Sequence, residues 1–128
     1  MLKKTVKYID FDNVEQEDVL YFNITQAELT EMELSSVGNN IRMSKHIQAI
    51  IDAKREDEIY RLIKDIVLAS YGERDGKNFK KSKEISELFS HTEAFSALLS
   101  ELTASAEAAA EFFNGIIPKF VNPPPNNN

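Results

Sequence analysis

After the charged Lys54 to Asp57 the apolar residues Ile59, Leu62, Ile63, Ile66 and Val67 recur three and four positions apart, with Arg61, Lys64 and Asp65 among them. That spacing gathers the apolar side chains on one side of a helix and the charged ones on the other. A helix so built is marginal alone in water and needs an apolar surface to lie against. The chain must therefore supply a core around it, and much of the C-terminal half reads as that supply.

Ser82 stands as a cap before a helix with Ile85, Leu88 and Phe89 facing inward. Thr92 caps another, with Phe95, Leu98, Leu99 and Leu102 inward, and Ser105 opens a third from Ala106 to Phe113, stopped by Asn114-Gly115. Upstream, Ser44 precedes Ile47, Ile50 and Ile51 at helical spacing, and the charged Lys54 to Asp57 reads as a break before the main amphipathic helix. Gly72 is expected as a left-handed helix stop, and Glu73 to Lys81, with Asp75-Gly76 as a turn, as the longest internal loop.

The N-terminus has a different texture. β-Branched and aromatic residues up to Ile9 resume at Val19 to Ile24 after the interruption at Asp12-Asn13, which predicts a β-hairpin. Thr25-Gln26-Ala27-Glu28 then has the form of a capping box, and a helix should begin there and fade near Gly38-Asn39-Asn40. The expected fold class is α+β, mainly α: a short N-terminal β-hairpin followed by a bundle of about five to six short helices. A single domain is expected over 1–118, with the hairpin in 1–24, the helices in 25–117, and a disordered tail over 119–128 that ends on Pro123-Pro124-Pro125 and three asparagines. A chain of 128 residues suits one such core and not two.

Charge and composition narrow the function. Fifteen Lys and Arg face 21 Asp and Glu, a net charge of -6, which repels phosphate backbones, so no nucleic-acid partner is expected. The absence of cysteine removes disulfides, thiolate metal sites and cysteine nucleophiles. No stretch has the length or apolarity of a signal peptide or membrane span, so a cytosolic protein without a membrane partner is expected.

Catalytic motifs fail on inspection. Val6 to Val14 runs from an apolar strand into Asp10-Phe11-Asp12, as phosphatases with an aspartate nucleophile do, but the later strands, lysine and acidic pair of such a fold are missing. A calcium loop from Asp10 would have Glu15 where glycine is needed and Tyr21 where a bidentate glutamate is needed. His46 and His91 each lack a second histidine at ligand spacing. Lys77, Lys80, Lys81 and Lys83 around Phe79 form a local basic cluster, read as a solvated loop and helix start. No catalytic residue, cofactor site or metal site is expected.

Five short blocks carry a resemblance. Tyr21 to Leu29, Ala69-Ser70-Tyr71-Gly72-Glu73, Asp75 to Phe79, Thr92-Glu93-Ala94-Phe95 and Phe112 to Pro118, in that order, resemble the tail assembly chaperones of long-tailed, siphovirus-type phages and prophages of Gram-positive bacteria. The resemblance implies a non-enzymatic protein of the host bacterial cytoplasm, absent from the mature virion. It would bind the tape measure protein, keep it soluble and promote tail tube protein assembly around it. It also implies a longer form made by ribosomal frameshifting. Pro124-Pro125-Asn126 can be encoded C-CCA-AAC, which lets both transfer RNAs re-pair one base back.

Client contact is then expected of an apolar helical surface, with Phe112, Phe113, Ile116 and Ile117 as candidates, and self-association into a homo-oligomer is expected beside it. The alternatives are a structural tail component, or a small helical regulator or adaptor. The mix of Glu58 and Asp65 with Arg61 and Lys64 on the best amphipathic helix disfavours a DNA-binding regulator.

Overall fold

The computed structural model describes residues 1–35, 52 and 56–117. The expectations for Gly38 to Ile51, for Lys54 and Arg55, for His46, and for the tail over 119–128 lie outside the described residues. Within them the order is β1 (Leu2–Ile9), β2 (Glu15–Phe22), α1 (Gln26–Ser35), α2 (Glu56–Ser70), β3 (Tyr71–Asp75), β4 (Asn78–Lys80), α3 (Lys83–Ser90), α4 (Glu93–Ala104) and α5 (Ala106–Ile116). The α+β class is as expected, with the N-terminal hairpin in place and five helices among the described residues.

The strands form one antiparallel sheet in the order β1-β2-β3-β4. Side chains alternate across a strand, so Leu2, Val6 and Tyr8 of β1 share a face with Leu20 and Phe22 of β2. Helices α4 and α5 pack on β1, and the joint core holds Val6, Leu20 and Phe22 with Leu98, Leu102, Phe112 and Ile116. The opposite face of the hairpin carries Lys3, Thr5, Lys7 and Ile9 across from Tyr21, Val19, Glu17 and Glu15. β2 begins at Glu15, earlier than its apolar run, because its acidic start lies opposite the basic middle of β1, with Lys7 directly across from Glu17.

Phe22 is fully buried and meets three rings edge-on: Phe112 at 5.0 Å, Tyr71 at 5.6 Å and Phe89 at 6.1 Å between centroids. Burial of such a side chain contributes about 1.5–3 kcal/mol, and edge-on ring pairs add to it. One strand residue thus joins β3, α3 and α5. The expected inward residues of α4, Phe95, Leu98, Leu99 and Leu102, are all buried, as are Ile63, Ile66 and Val67 of α2. In α3 only Phe89 is buried, whereas Leu88 is 70% exposed, contrary to the inward position expected of it. Eight residues make barely two turns, so only a narrow stripe reaches the core.

The helix starts follow their caps. The hydroxyls of Ser82, Thr92 and Ser105 accept the amides of Ile85, Phe95 and Ala108 at 3.0, 3.1 and 3.2 Å. The capping box closes reciprocally, with Glu28 N–H to Thr25 Oγ1 at 3.1 Å and Thr25 N–H to Glu28 Oε1 at 2.8 Å.

Two helix stops differ from expectation. Gly72 is no left-handed cap: α2 passes directly into β3, and the stretch expected as a loop is a second hairpin. The last carbonyls of α2 have other donors, namely the Ser86 hydroxyl to Leu68, the Lys81 ammonium to Ala69 and the Asn23 amide to Ser70. A glycine cap is therefore not needed. Gly72 is required for space instead, since a Cβ there would meet the Lys80 carbonyl oxygen at 2.6 Å. Gly76 takes the turn between β3 and β4 with φ +62, the left-handed geometry suited to a two-residue hairpin connection.

The second difference is at Asn114-Gly115, which lies inside α5 rather than ending it. Gly115 lets the helix approach β1, a Cβ there standing 2.9 Å from Leu2 Cδ1. The helix ends at Ile117, whose extended ψ of 155 is the conformation favoured before a proline such as Pro118.

Candidate functional site

The β1–β2 connection, Asp10 to Val14, is held by one side chain. Asp10 Oδ1 accepts the amides of Asp12 and Val14, both at 2.9 Å, and Oδ2 accepts the Gln16 side-chain amide at 2.8 Å. The Asp10 amide donates to the Val14 carbonyl at 2.9 Å, and Asn13 takes a left-handed φ of 63. These bonds, that to Val14 foremost, hold the Asp10 carboxyl below its ordinary pKa. Asp10 is thus the organiser of the loop, one of its oxygens occupied by backbone amides and the other by the Gln16 side chain.

Among its polar residues the loop displays large apolar side chains, which hairpin tips ordinarily do not. Phe11 is 75% exposed, Val14 51% and Ile9 49%, and Val19 on the outer sheet face is 45% exposed. A shallow groove of about 500 Å³ lies beside them, lined by Lys7, Tyr8, Ile9, Glu15, Gln16 and Glu17. Tyr8 donates its hydroxyl to Asp18 Oδ2 at 2.5 Å, and that bond, then burial, pushes its pKa up to about 12.

The expected client residues are divided by the fold. Phe112 and Ile116 are buried in the core, at 5% and 0% exposure, whereas Phe113 and Ile117 are partly buried at its margin. Pro124, Pro125 and Asn126 lie outside the described residues.

The basic cluster separates as well. Lys81 donates to the carbonyls of Asn23 and Ala69, at 2.9 and 3.0 Å, and to Glu28 Oε1 at 2.6 Å. Lys80 pairs with Asp75 at 3.1 Å. Partial burial raises the pKa of Glu28, but the bond from Lys81 and that from the Thr25 amide outweigh it, and the net shift is downward. Lys81 is thus an internal tie between the end of β2, α1 and α2. A single-residue charge tally could not distinguish it from its solvated neighbours.

His91 is exposed and follows α3, its amide donating to the Leu88 carbonyl at 3.2 Å. Among the described residues no three His, Asp or Glu side chains are grouped to hold a metal ion, and no helix is long and apolar enough to cross a membrane. Sequence reasoning did not single out Ile9, Phe11, Val14 and Val19, the exposed apolar residues of the hairpin. Their signal was available as apolar residues set inside and beside a turn.

A protein-family model described as phage tail assembly chaperone matches residues 1–123. No curated protein and no solved structure matches the chain. The match runs through the hairpin, the ring cluster around Phe22 and all five described helices, so it concerns the fold as a whole rather than one motif. The chain belongs to the phage tail assembly chaperone family.

Proposed function

We propose that this chain binds the tape measure protein of its phage, keeps it soluble in the host bacterial cytoplasm, and promotes polymerisation of the tail tube protein around it. The observation that carries this reading is the family match over residues 1–123, nearly the full 128. A tail assembly chaperone needs an extended client to act on, and a long helical protein with exposed apolar stripes aggregates unless those stripes are covered. Many copies along one client hold it by multivalency while each contact stays weak enough to release. The protein leaves before the particle is complete, and its role is one of binding without catalysis.

On this reading α5 and the residue that caps it can offer a client Phe113 and Ile117 directly. Phe112 and Ile116 are committed to the core and become available only if α5 lifts from β1. Self-association into a homo-oligomer and a longer form made by a slip at the codons of Pro124, Pro125 and Asn126 complete the proposal. The codons themselves and a mass-spectrometric search for the longer product test the slip.

Co-expression tests the main claim. The soluble fraction of the tape measure protein should rise severalfold with this chain present, and an unchanged insoluble fraction would sink the reading. Detection of the chain in finished particles would favour a structural tail component instead.

A further inference from the structure

We propose that the tip and outer face of the β1–β2 hairpin form a docking surface for a cationic amphipathic helix; its assignment to the client rests on the function proposed above. Of the seven large apolar side chains exposed among the described residues, Ile9, Phe11, Val14 and Val19 lie at the tip or on the outer face of this hairpin, and Met1 adjoins its open end. The other two, Tyr60 and Leu88, are on separate helices. Leaving Phe11 in water gives up the stabilisation that its burial would bring, and turns are ordinarily built from polar residues. The loop that displays it is nonetheless fixed, by the bonds to Asp10 and the left-handed Asn13. A fixed apolar display lowers the ordering cost of association.

Charge selects the occupant. From Ile9 to Glu17 the chain has Asp10, Asp12, Glu15 and Glu17 and no lysine or arginine. The nearest cation in sequence, Lys7, is across from Glu17 at 4.0 Å. The other cations of the outer face, Lys3 and the Arg74 that lies over Tyr21, are at the end away from the tip, so the acidic rim belongs to the tip end of the surface. An apolar patch with such a rim favours a partner whose apolar stripe is flanked by lysine or arginine, and disfavours an acidic one. It also disfavours a second copy meeting it tip to tip, because each brings the same carboxylates. An amphipathic helix presents an apolar stripe flanked by charges in one rigid element, which is the partner chemistry that such a surface selects.

The probe is a synthetic helical peptide with a leucine stripe flanked by lysines, labelled with fluorescein and titrated by anisotropy; a second peptide replaces each lysine by glutamate. The full chain should bind the lysine peptide roughly tenfold or more tightly than the glutamate peptide, and added salt should weaken that binding. Phe11→Ser, at an exposed position that circular dichroism should show leaves the fold intact, should weaken binding roughly tenfold or more. Asp12→Asn with Glu15→Gln should weaken it severalfold, and Phe113→Ser should not change it.

Equal affinity for both peptides, unchanged binding by Phe11→Ser, or loss on Phe113→Ser alone would overturn the proposal. So would self-association of the free protein that disappears on Phe11→Ser, because the occupant would then be another copy. In co-expression, a folded Phe11→Ser protein that still keeps the tape measure protein soluble removes the hairpin from client binding and leaves the chaperone reading standing. Failure of the unaltered chain to do so removes the chaperone reading, whatever the peptide result.

Discussion

The ring of Tyr71 lies flat against the ring of Phe89, with 3.8 Å between centroids and 7° between planes. The first residue of β3 is thereby clamped to the end of α3, while Phe22 meets both rings edge-on. Phe89→Ala should destabilise the protein by about 3–5 kcal/mol, read from urea denaturation, because it removes a buried ring and leaves a cavity among aromatic neighbours. Phe89→Leu should cost less, since it restores much of the volume without the stacking.

Gly72 and Gly76 should respond differently to alanine. At Gly72 the new Cβ meets the Lys80 carbonyl oxygen at 2.6 Å, a backbone atom that cannot turn aside, as well as Phe79 Cζ at 2.7 Å. Gly72→Ala should therefore cost about 1–3 kcal/mol and loosen the β3–β4 hairpin, seen as faster amide exchange at Phe79 and Lys80. At Gly76 nothing stands within 4 Å, and only the φ of +62 opposes a side chain, so Gly76→Ala should cost about 1 kcal/mol.

Lys81→Met should destabilise the protein by about 1–3 kcal/mol at neutral pH, leaving the carbonyls of Asn23 and Ala69 without their donor. Its pH dependence identifies Glu28 as the third partner. Because the folded protein holds Glu28 below its ordinary 4.5, the carboxylate contributes stability above that pH and loses it as pH falls through the folded value. The gap between the two proteins should narrow on acidification, and a constant gap would show that Glu28 is not coupled to Lys81.

Tyr8 should titrate well above the ordinary range of a tyrosine. Its folded pKa of about 12 against an ordinary 10.0 means that the Tyr8–Asp18 bond stabilises the fold fully below pH 10 and is lost as pH rises toward 12. Asp18→Asn should return the tyrosinate absorbance of Tyr8 toward 10, measured against a Tyr8→Phe control.

Local signals proved readable where a side chain acts on its own backbone. Ser82, Thr92, Ser105 and the Thr25–Glu28 box each satisfy an amide a few residues away, and the sequence pattern holds all that is needed. The second hairpin was illegible for the opposite reason. Whether α2 needs a glycine stop depends on donors from Asn23, Lys81 and Ser86, which only the tertiary fold brings together. Asn114-Gly115 misled similarly, because the glycine answers to Leu2, over a hundred residues upstream in chain order. At the candidate site, burial of Phe112 and Ile116 was not legible, because an apolar helix face reads the same whether it meets a client or its own sheet. The hairpin tip was hidden by the opposite assumption, that residues around Asp10 and Asn13 serve only to turn the chain.

β1 is the outermost strand of its sheet, and its lysines bear on how crowded copies behave. If two copies pair β1 to β1 in antiparallel fashion about Thr5, Lys3 falls opposite Lys7 of the other copy at both ends of the overlap. Sliding the register by one residue to keep the full overlap sets Lys4 opposite Lys7 instead. Like charges directly across a ladder oppose its formation, and lysine on an edge strand discourages runaway sheet growth. The longest edge among the described strands thus resists pairing with copies of itself, which keeps a concentrated solution of the protein from growing a shared sheet through β1.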